Sequence, residues 1–428
     1  MTDFHHAAKP GASKIELPGA KKMLSRKTLF SIAAIIISSL FVLLPVSPHA
    51  GENQQDFIDW LEVLRREARE QGVSEATLEA SLTGISPVIR VVELDRSQPE
   101  FTQTFWDYLN RRVTETHVKR GRELLDTHRD LLEGIYAQYG IPPRYIIAFW
   151  GLETNYGGYM GSFQAIDALV TLAYNPRRAT FFRAELINAL RIIDQGHITP
   201  NQMKSSWAGA MGHMQFMPST FMRHAVDYTG DGRKDIWNSL PDAFASGAGY
   251  LSDIGWQKGE RWGREVLLPD DFDLALAEMN TRKTVITWAK LGVRRANGQP
   301  LPDTEMEGSV ILPQGRKGPA FMVYDNFHVI MHWNRSIYYA LTVGHLADRI
   351  IGLPGIINSH DAAHAPLSRE DIKTIQSHLN RLGFDAGPED GIAGAQTNTA
   401  IRQFQKAQGL PPDGYASPDL LRRLQKTS

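Results

Sequence analysis

The chain has 428 residues, 46 basic against 47 acidic, with 42% hydrophobic and 22% charged side chains. That composition is ordinary for a globular protein; it excludes a mainly disordered or collagen-like chain, a polytopic membrane protein, and a strongly basic nucleic-acid binder, which would need surplus cations to neutralise phosphates. Cysteine is absent, so disulfides, zinc thiolate sites, a cysteine nucleophile and a lipidated N-terminal cysteine are excluded, and the length suggests two or three domains.

The first segment departs from this average. Lys21, Lys22, Arg26 and Lys27 precede an unbroken apolar run from Leu29 to Val46, followed by Ser47-Pro48-His49-Ala50. A basic flank, an apolar core and a small residue at the end form the layout of a secretory signal peptide. The run also approaches the minimum length of a membrane span, roughly 17–20 residues, so a retained inner-membrane anchor stays open. Either reading places the bulk of the protein outside the cytoplasm, with the periplasm as the expected location and a lipoprotein excluded. Six basic and two acidic residues lie in 1–50, which leaves 40 basic against 45 acidic in the remainder.

From about residue 54 the pattern is helical. Phe57, Trp60, Leu61 and Leu64 recur at helical spacing and Gly72 closes the run. Further helices are expected near 103–118, 121–139, 180–194, 218–227, 242–253 and 333–351. Strand-like alternation is confined to Val266–Leu268, Gly308–Leu312 and Phe321–Tyr324. The expected architecture is therefore mainly α, with a small β insertion between about 263 and 325. Residues 353–367 lack periodicity and read as a linker, and a module of about 60 residues follows from Ser368.

One carboxylate stands out. Pro142-Pro143 suits a helix start, and Tyr145, Ile146, Ile147, Ala148, Phe149, Trp150 and Leu152 make a nearly all-apolar helix, buried on most sides. This helix runs into Glu153 and is expected to stop at Gly157-Gly158. Apolar surroundings disfavour the charged carboxylate, and so does the negative end of the helix dipole. Both raise the pKa, which is what a general acid for glycosidic cleavage needs. A helix-terminal Glu paired with an arginine is the plainer alternative.

The segment Glu153-Thr-Asn-Tyr-Gly157, followed by Gly209-Ala-Met-Gly-His-Met-Gln-Phe-Met-Pro218, resembles the lytic murein transglycosylase B family. Matching stretches in family order are Tyr174-Asn-Pro-Arg-Arg178, Asp227 to Trp237, Tyr250-Leu with Gly255-Trp256, and Trp333-Asn334-Arg-Ser. They cover roughly 55–352. The resemblance implies a lysozyme-like helical fold that cleaves the β-1,4 bond between N-acetylmuramic acid and N-acetylglucosamine without water. One glutamic acid first protonates the leaving oxygen, then as carboxylate takes the proton of the muramoyl C6 hydroxyl, which closes a 1,6-anhydro ring. A hydrolase would normally need a second carboxylate; Asp167 and Glu185 are the candidates, both in amphipathic stretches that favour a structural role.

By the same resemblance, Glu153 is the expected catalytic group. Ser206, Gln215 and Asn334 are polar residues lining the site, and Tyr250 is an aromatic of the sugar groove. Arg177 and Arg178 are expected to meet a lactyl or peptide-stem carboxylate, where guanidinium geometry fits. Trp333 stands where many relatives carry tyrosine; stacking on a sugar face survives that change, a role for the phenol hydroxyl does not. His213 receives no catalytic part.

Asp227, Thr229, Asp231, Arg233 (through its carbonyl) and Asp235 alternate, with Gly232 at the sixth place of an EF-hand-like loop. Asn238 occupies the twelfth place, and Asp242 would close a longer loop. Oxygen donors of this kind favour a structural Ca²⁺; a metal-free Asp-Gly turn is the alternative, and the chemistry itself needs no cofactor.

In the C-terminal module, Ile372, Ile375, Leu379 and Leu382 are helical, then Pro388-Glu-Asp-Gly391, Ile401, Phe404-Gln405, Asp413-Gly414, Leu420, Leu421 and Leu424 follow. The pattern resembles the three-helix peptidoglycan-binding domain. The implied partners are peptidoglycan glycan strands, with cell-wall synthesis or division proteins as further candidates and no nucleic acid.

Overall fold

The structure, a computed structural model, describes residues 49–97, 103–357 and 367–427. The apolar run 29–46 and most of the linker 353–367 lie outside the described residues. From Gln54 on, the chain forms one unit with three hydrophobic cores: a large helical one, a second inside the β insertion and a third in the C-terminal module. Mainly α architecture with a small β insertion is what the sequence led us to expect.

The large core is wrapped by helices whose starts are locally encoded. Thr104, Thr114 and Ser239 each accept a backbone N–H from their own helix, satisfying donors a helix start leaves open. Thr114 divides the stretch expected as one helix over 103–118 into Phe105–Arg112 and Glu115–Thr127. At the centre runs helix Pro143–Thr154, with every residue from Tyr145 to Gly151 buried. Helices Ala165–Tyr174, Ala179–Asp194, Leu240–Asp253 and Ile337–Ile350 pack in the same core.

Two short strands, β1 (Phe163–Gln164) and β2 (Lys204–Ser205), pair antiparallel and bring the segment after the central helix against the glycine-rich stretch 206–217. The approach is close at Gly161, where a Cβ would stand 2.0 Å from the Ser205 carbonyl oxygen.

The β insertion is an antiparallel sheet of five strands: β3 (Gly263–Leu267), β4 (Arg282–Thr284), β5 (Arg294–Arg295), β6 (Glu307–Ile311) and β7 (Ala320–Val323), in the order β4-β6-β7-β3-β5. Two of the three expected strands fall within one residue of β6 and β7, while β3 begins three residues before the expected Val266. β4 and β5 are edge strands of three and two residues, too short and too polar to alternate. The sheet closes over Trp288, Met322 and Tyr324.

Of the stretch expected as a helix over 333–351, Ile337–Ile350 is one helix that starts four residues later, and the helix before it, Asp325–Trp333, was not expected. Helix Asp325–Trp333 ends, Asn334 and Ser336 are extended, and Ser336 caps a new helix Ile337–Ile350 by accepting the Tyr339 amide. Serine competes well for such positions because its hydroxyl replaces a missing helix bond. This break positions two side chains of the site.

The C-terminal module has three helices, Arg369–Arg381, Ala395–Ala407 and Pro418–Thr427, around Ile375, Leu379, Ile401, Phe404 and Leu424. One polar device is used twice. The amide of Gln376 donates to Asp390 and accepts from the Gly391 N–H; the amide of Gln405 donates to Asp413 and accepts from the Gly414 N–H. Each buried glutamine thereby clamps an Asp-Gly turn, leaving neither side-chain end unpaired.

Candidate active site

Glu153 is the penultimate residue of the central helix. The helix ends earlier than Gly157-Gly158, because Asn155 and Tyr156 both turn left-handed, at φ 51° and 58°. The Tyr156 amide reaches back to the Trp150 carbonyl and the Asn155 amide to Gly151, a helix-closing pattern usually given to glycine. The Tyr156 ring then lies across Gly151, where a Cβ would come within 2.7 Å of it, and its hydroxyl donates to the His117 carbonyl at 3.0 Å. Two non-glycine residues at positive φ beside a carboxylate are the kind of strain that collects at functional sites.

Two neutral donors meet on one oxygen of Glu153. Trp333 Nε1 donates to Oε1 at 2.9 Å, and the Tyr339 hydroxyl donates to the same atom in a short hydrogen bond. Trp333 is the last residue of its helix and Tyr339 lies in the first turn of the next, so the break at Asn334–Ser336 aims both at the acid. The Phe149 ring packs against Trp333 at 4.4 Å between centroids. Phe216 and Tyr250 close on Trp333 at 5.4 and 5.2 Å.

This surrounding raises the pKa of Glu153 to about 7. Burial is the dominant cause; the hydrogen bonds from Tyr339 and Trp333 oppose it because they favour the carboxylate. Tyr339 is itself pushed well above the ordinary phenol value by burial and by the neighbouring acid, so it remains a donor. A carboxyl that titrates near neutrality, flanked by groups that stabilise its anion, can give and retrieve a proton in turn.

The remaining expected residues divide into two sets. The first set is Gln215, Ser206, Tyr250, Asn334 and Trp333; of these Trp333 bonds to Glu153 and Tyr250 packs on Trp333. Gln215 sits at φ 49° and its amide donates to Gly212 at 3.0 Å and to Met160 at 3.3 Å, tying the glycine-rich stretch to the loop that follows Glu153. Ser206 holds that stretch from its other end, its hydroxyl accepting from the Ala208 and Ala210 amides. Tyr250 donates to the His332 carbonyl at 3.4 Å, and Asn334 is exposed at the helix break. Trp333 differs from its expected part: its indole N–H is committed to Glu153, and its ring packs among Phe149, Phe216 and Tyr250.

Arg177 and Arg178 form the second set. Both guanidiniums grip Asp95, which is 2% exposed, with Arg177 Nη1 at 3.1 Å from one carboxylate oxygen and Arg178 Nη2 on the other. They fasten helix Ile89–Ser97 to the main core.

His213 acts as a strut: its Nδ1 accepts from Trp150 Nε1 at 3.0 Å and its carbonyl accepts from the Thr154 hydroxyl at 3.1 Å. Burial holds its pKa below the usual value, which keeps Nδ1 an acceptor. Glu185 is 3% exposed and accepts both the amide and the hydroxyl of Ser219 at the start of helix Pro218–His224. Asp167 lies in the first turn of helix Ala165–Tyr174, its pKa raised by burial against the opposing charge of Lys204. Neither carboxylate bonds to Glu153. Tyr339 was missed; a lone tyrosine in a helix carries no local mark of its partner 186 positions away.

The loop at 227–242 is organised from within. Asp227 accepts from the amides of Gly230, Asp231 and Gly232, and Asp231 accepts from the Arg233 amide. Asp242, fully buried, accepts from Tyr228, Thr229 and Asp235. The Thr229 hydroxyl turns onto Asp227. The donor chemistry suits a hard cation; among the described residues no three or more His, Asp or Glu are placed to hold a metal ion. Asp242 is the hub of the loop rather than its outer rim.

Two stretches of the chain match known families. Residues 56–348 match the transglycosylase SLT domain and 368–424 a peptidoglycan binding domain. Membrane-bound lytic murein transglycosylase B of Escherichia coli is 32% identical over 249 residues, 57% of this chain and 66% of that protein, just under two thirds of its length. The crystal structure of SltB3 from Pseudomonas aeruginosa in complex with NAG-NAM-pentapeptide superposes with a TM-score of 0.83 at 43% identity, covering 86% of this chain and 99% of that one. The E. coli lytic transglycosylase Slt35 in complex with calcium gives a TM-score of 0.58 at 29% identity over 70% and 92%. With a family match over well more than half its length, the chain belongs to the transglycosylase SLT-domain family.

Proposed function

We propose that this protein is an exported lytic transglycosylase that cuts the β-1,4 bond between N-acetylmuramic acid and N-acetylglucosamine in peptidoglycan, with Glu153 as acid and then as base. The observation that carries this reading is the isolation of Glu153: it titrates near 7, it is held by two neutral donors, and among the described residues no second carboxylate bonds to it or shifts it. Protonated Glu153 gives its proton to the glycosidic oxygen as the bond to C1 breaks. The carboxylate that remains, stabilised by Tyr339 and Trp333, takes the C6 hydroxyl proton, and the C6 oxygen attacks C1. Bond breaking and ring closure leave one proton where it began, and water is not consumed. One C–O bond at C1 is exchanged for another with two proton transfers and no change of oxidation state, so the proposed reaction requires no cofactor.

In this reading Gln215, Ser206, Tyr250 and Asn334 supply polar and aromatic groups for the sugars. The segment 21–50 supports export to the periplasm, by cleavage or as an anchor, and the C-terminal module supports retention on the wall. Cell-wall synthesis or division proteins are further proposed partners. Mass spectrometry of sacculi digested by residues 51–428 in ¹⁸O-labelled water tests the reaction. The expected products end in 1,6-anhydro-muramic acid without label. Label at C1 would instead make the protein a muramidase, and Asp167 and Glu185 would be reconsidered as its base.

A further inference from the structure

A second cleft lies at the seam between the C-terminal module and the β insertion. Polar contacts make the seam. The Arg316 amide donates to Asp413 at 3.1 Å, and Arg402 donates to the Ala277 carbonyl at 2.9 Å while its Nε stands 3.4 Å from Glu278. Gly315 is so close to the module that a Cβ there would lie 2.9 Å from that of Tyr415. Beside these contacts is a cavity of about 610 Å³, walled by the turn at 314–317 on one side and by helix Pro418–Thr427 on the other.

Its chemistry is lopsided. Arg316, Lys317, Arg423 and Lys426 line it, and among the described residues none of their four side-chain cations forms an ion pair; Arg422 is already paired with Asp419. Asp413 is committed to Gln405, to the Tyr415 amide and to the Arg316 amide. In the same wall Gln314 is only 6% exposed, and its side-chain carbonyl oxygen has no hydrogen-bond partner. A buried acceptor without a donor is unfavourable until something supplies one. The cleft therefore offers four exposed cations without an ion pair and one buried oxygen without a donor.

We propose that this cleft binds the peptide stem of peptidoglycan, its carboxylates meeting Arg316, Lys317, Arg423 and Lys426 and one of its amide N–H groups reaching Gln314. The proposal rests on the wall-cleaving reading but uses none of the residues assigned to cleavage. Neutral sugars gain little from unpaired cations, whereas an acidic peptide satisfies both features at once. Because the seam is fixed by Arg402 and Asp413, a stem held here is held at a set position relative to the catalytic unit.

The test is a titration of the intact protein with a sugar-free stem pentapeptide, which has no glycosidic bond and reports binding apart from cleavage. Saturable binding is expected, weakened about tenfold by R423E/K426E and about tenfold when the peptide carboxylates are converted to amides. Gln314→Leu, which keeps the volume and removes the acceptor, weakens it about fivefold. Turnover of stem-free soluble glycan stays unchanged in all variants. Equal binding of the acid and amide peptides to the wild type overturns the proposal whether or not the charge-reversed protein folds. Undiminished binding in folded R423E/K426E does the same. Loss of anhydro product with peptide binding intact would overturn the cleavage reading and leave the cleft standing.

Discussion

The Tyr339 hydroxyl and the Glu153 carboxyl are joined across 186 positions of chain, and the oxygen they share also accepts from Trp333. Both donors fall on Oε1. Among the described residues Oε2 has no hydrogen-bond partner, and in the proposed mechanism it is the oxygen that exchanges a proton with substrate. Tyr339 also faces an opposing demand: it favours the anion, while burial favours the acid, and the balance near 7 is the result of the two.

Removing one donor should tilt that balance. Tyr339→Phe deletes a bond that lowers the Glu153 pKa, so the pKa rises above about 7. The free enzyme must hold the acid protonated, so kcat/KM declines as pH passes this pKa. The alkaline limb of the profile should therefore move up by about one pH unit, the equivalent of one charge-assisted hydrogen bond. Profiles on short soluble glycan chains check this, and an unmoved limb would separate Tyr339 from the acid. Trp333→Phe should shift the limb in the same direction.

Glu153→Gln should lower turnover by roughly 10³-fold, since general acid–base work is worth about 10²–10⁴-fold per transfer. It should also change stability in a pH-dependent way. The folded-state pKa is raised, to about 7 from 4.5. Between those values the folded protein holds a proton that the unfolded chain releases, so stability is greatest below 4.5 and falls as pH rises through 7. The full loss is about 3 kcal/mol. Urea unfolding at pH 5 and pH 8 should show this loss in the wild type and little of it in Glu153→Gln. Parallel pH dependence in both proteins would mean that Glu153 ionises freely.

Much of this site was legible because its central helix is written as an unbroken apolar run ending in one carboxylate, and burial is what raises that carboxylate's pKa. The β insertion was legible where strands alternate and not at β4 and β5, which have no buried face of sufficient length. The expected helix over 333–351 began four residues early and the helix Asp325–Trp333 was missed, because hydrophobic spacing continues across the break; only Ser336 marks a cap, and serine is common in helices that do not end. Tyr339 and the indole N–H of Trp333 became site residues through tertiary placement alone. Arg177 and Arg178 carried a plausible carboxylate-binding pattern, but their carboxylate proved to be Asp95, on a helix some eighty residues earlier.

The arginine pair gives a further contrast. If Asp95 is their purpose, Asp95→Ala leaves two guanidiniums without the buried acid and lowers stability by about 2 kcal/mol, less than for a wholly buried pair because both arginines are over a third exposed. KM for soluble glycan chains should stay near the wild-type value in Arg177→Ala. A large rise in KM with unchanged stability would restore the arginines to the substrate.

The loop at 227–242 should depend on Asp242 more than on metal. Asp242 satisfies three amides while fully buried, so Asp242→Ala should cost about 3 kcal/mol in the presence of a chelator. Asp231→Ala, exposed and accepting one neighbouring amide, should cost little there. Calcium would have to compete with the loop amides that Asp227 and Asp231 accept, so only millimolar Ca²⁺ should raise the unfolding midpoint, and Asp231→Ala should abolish that rise. A strong rise at micromolar Ca²⁺ would show a preformed site.

The C-terminal module supplies the last contrast, because it is both a wall-binding element and a docked one. Its seam with the β insertion includes Arg402 on Ala277 and Glu278, and Asp413 on Arg316. Deleting 367–428 should weaken retention on intact sacculi by at least about tenfold, since a linked binding module raises the local concentration of substrate. It should also lower the midpoint of thermal unfolding, because the seam is stripped from the sheet that carries β6 and β7. Turnover of short soluble chains should fall little, since Glu153, Trp333 and Tyr339 are held by the core of 143–350. Arg402→Ala should reproduce the fall in midpoint while sparing retention. If deletion weakens retention and leaves the midpoint unmoved, the module is a free tether and the seam contributes nothing to folding. If instead soluble turnover collapses with it, the module supports the catalytic core directly.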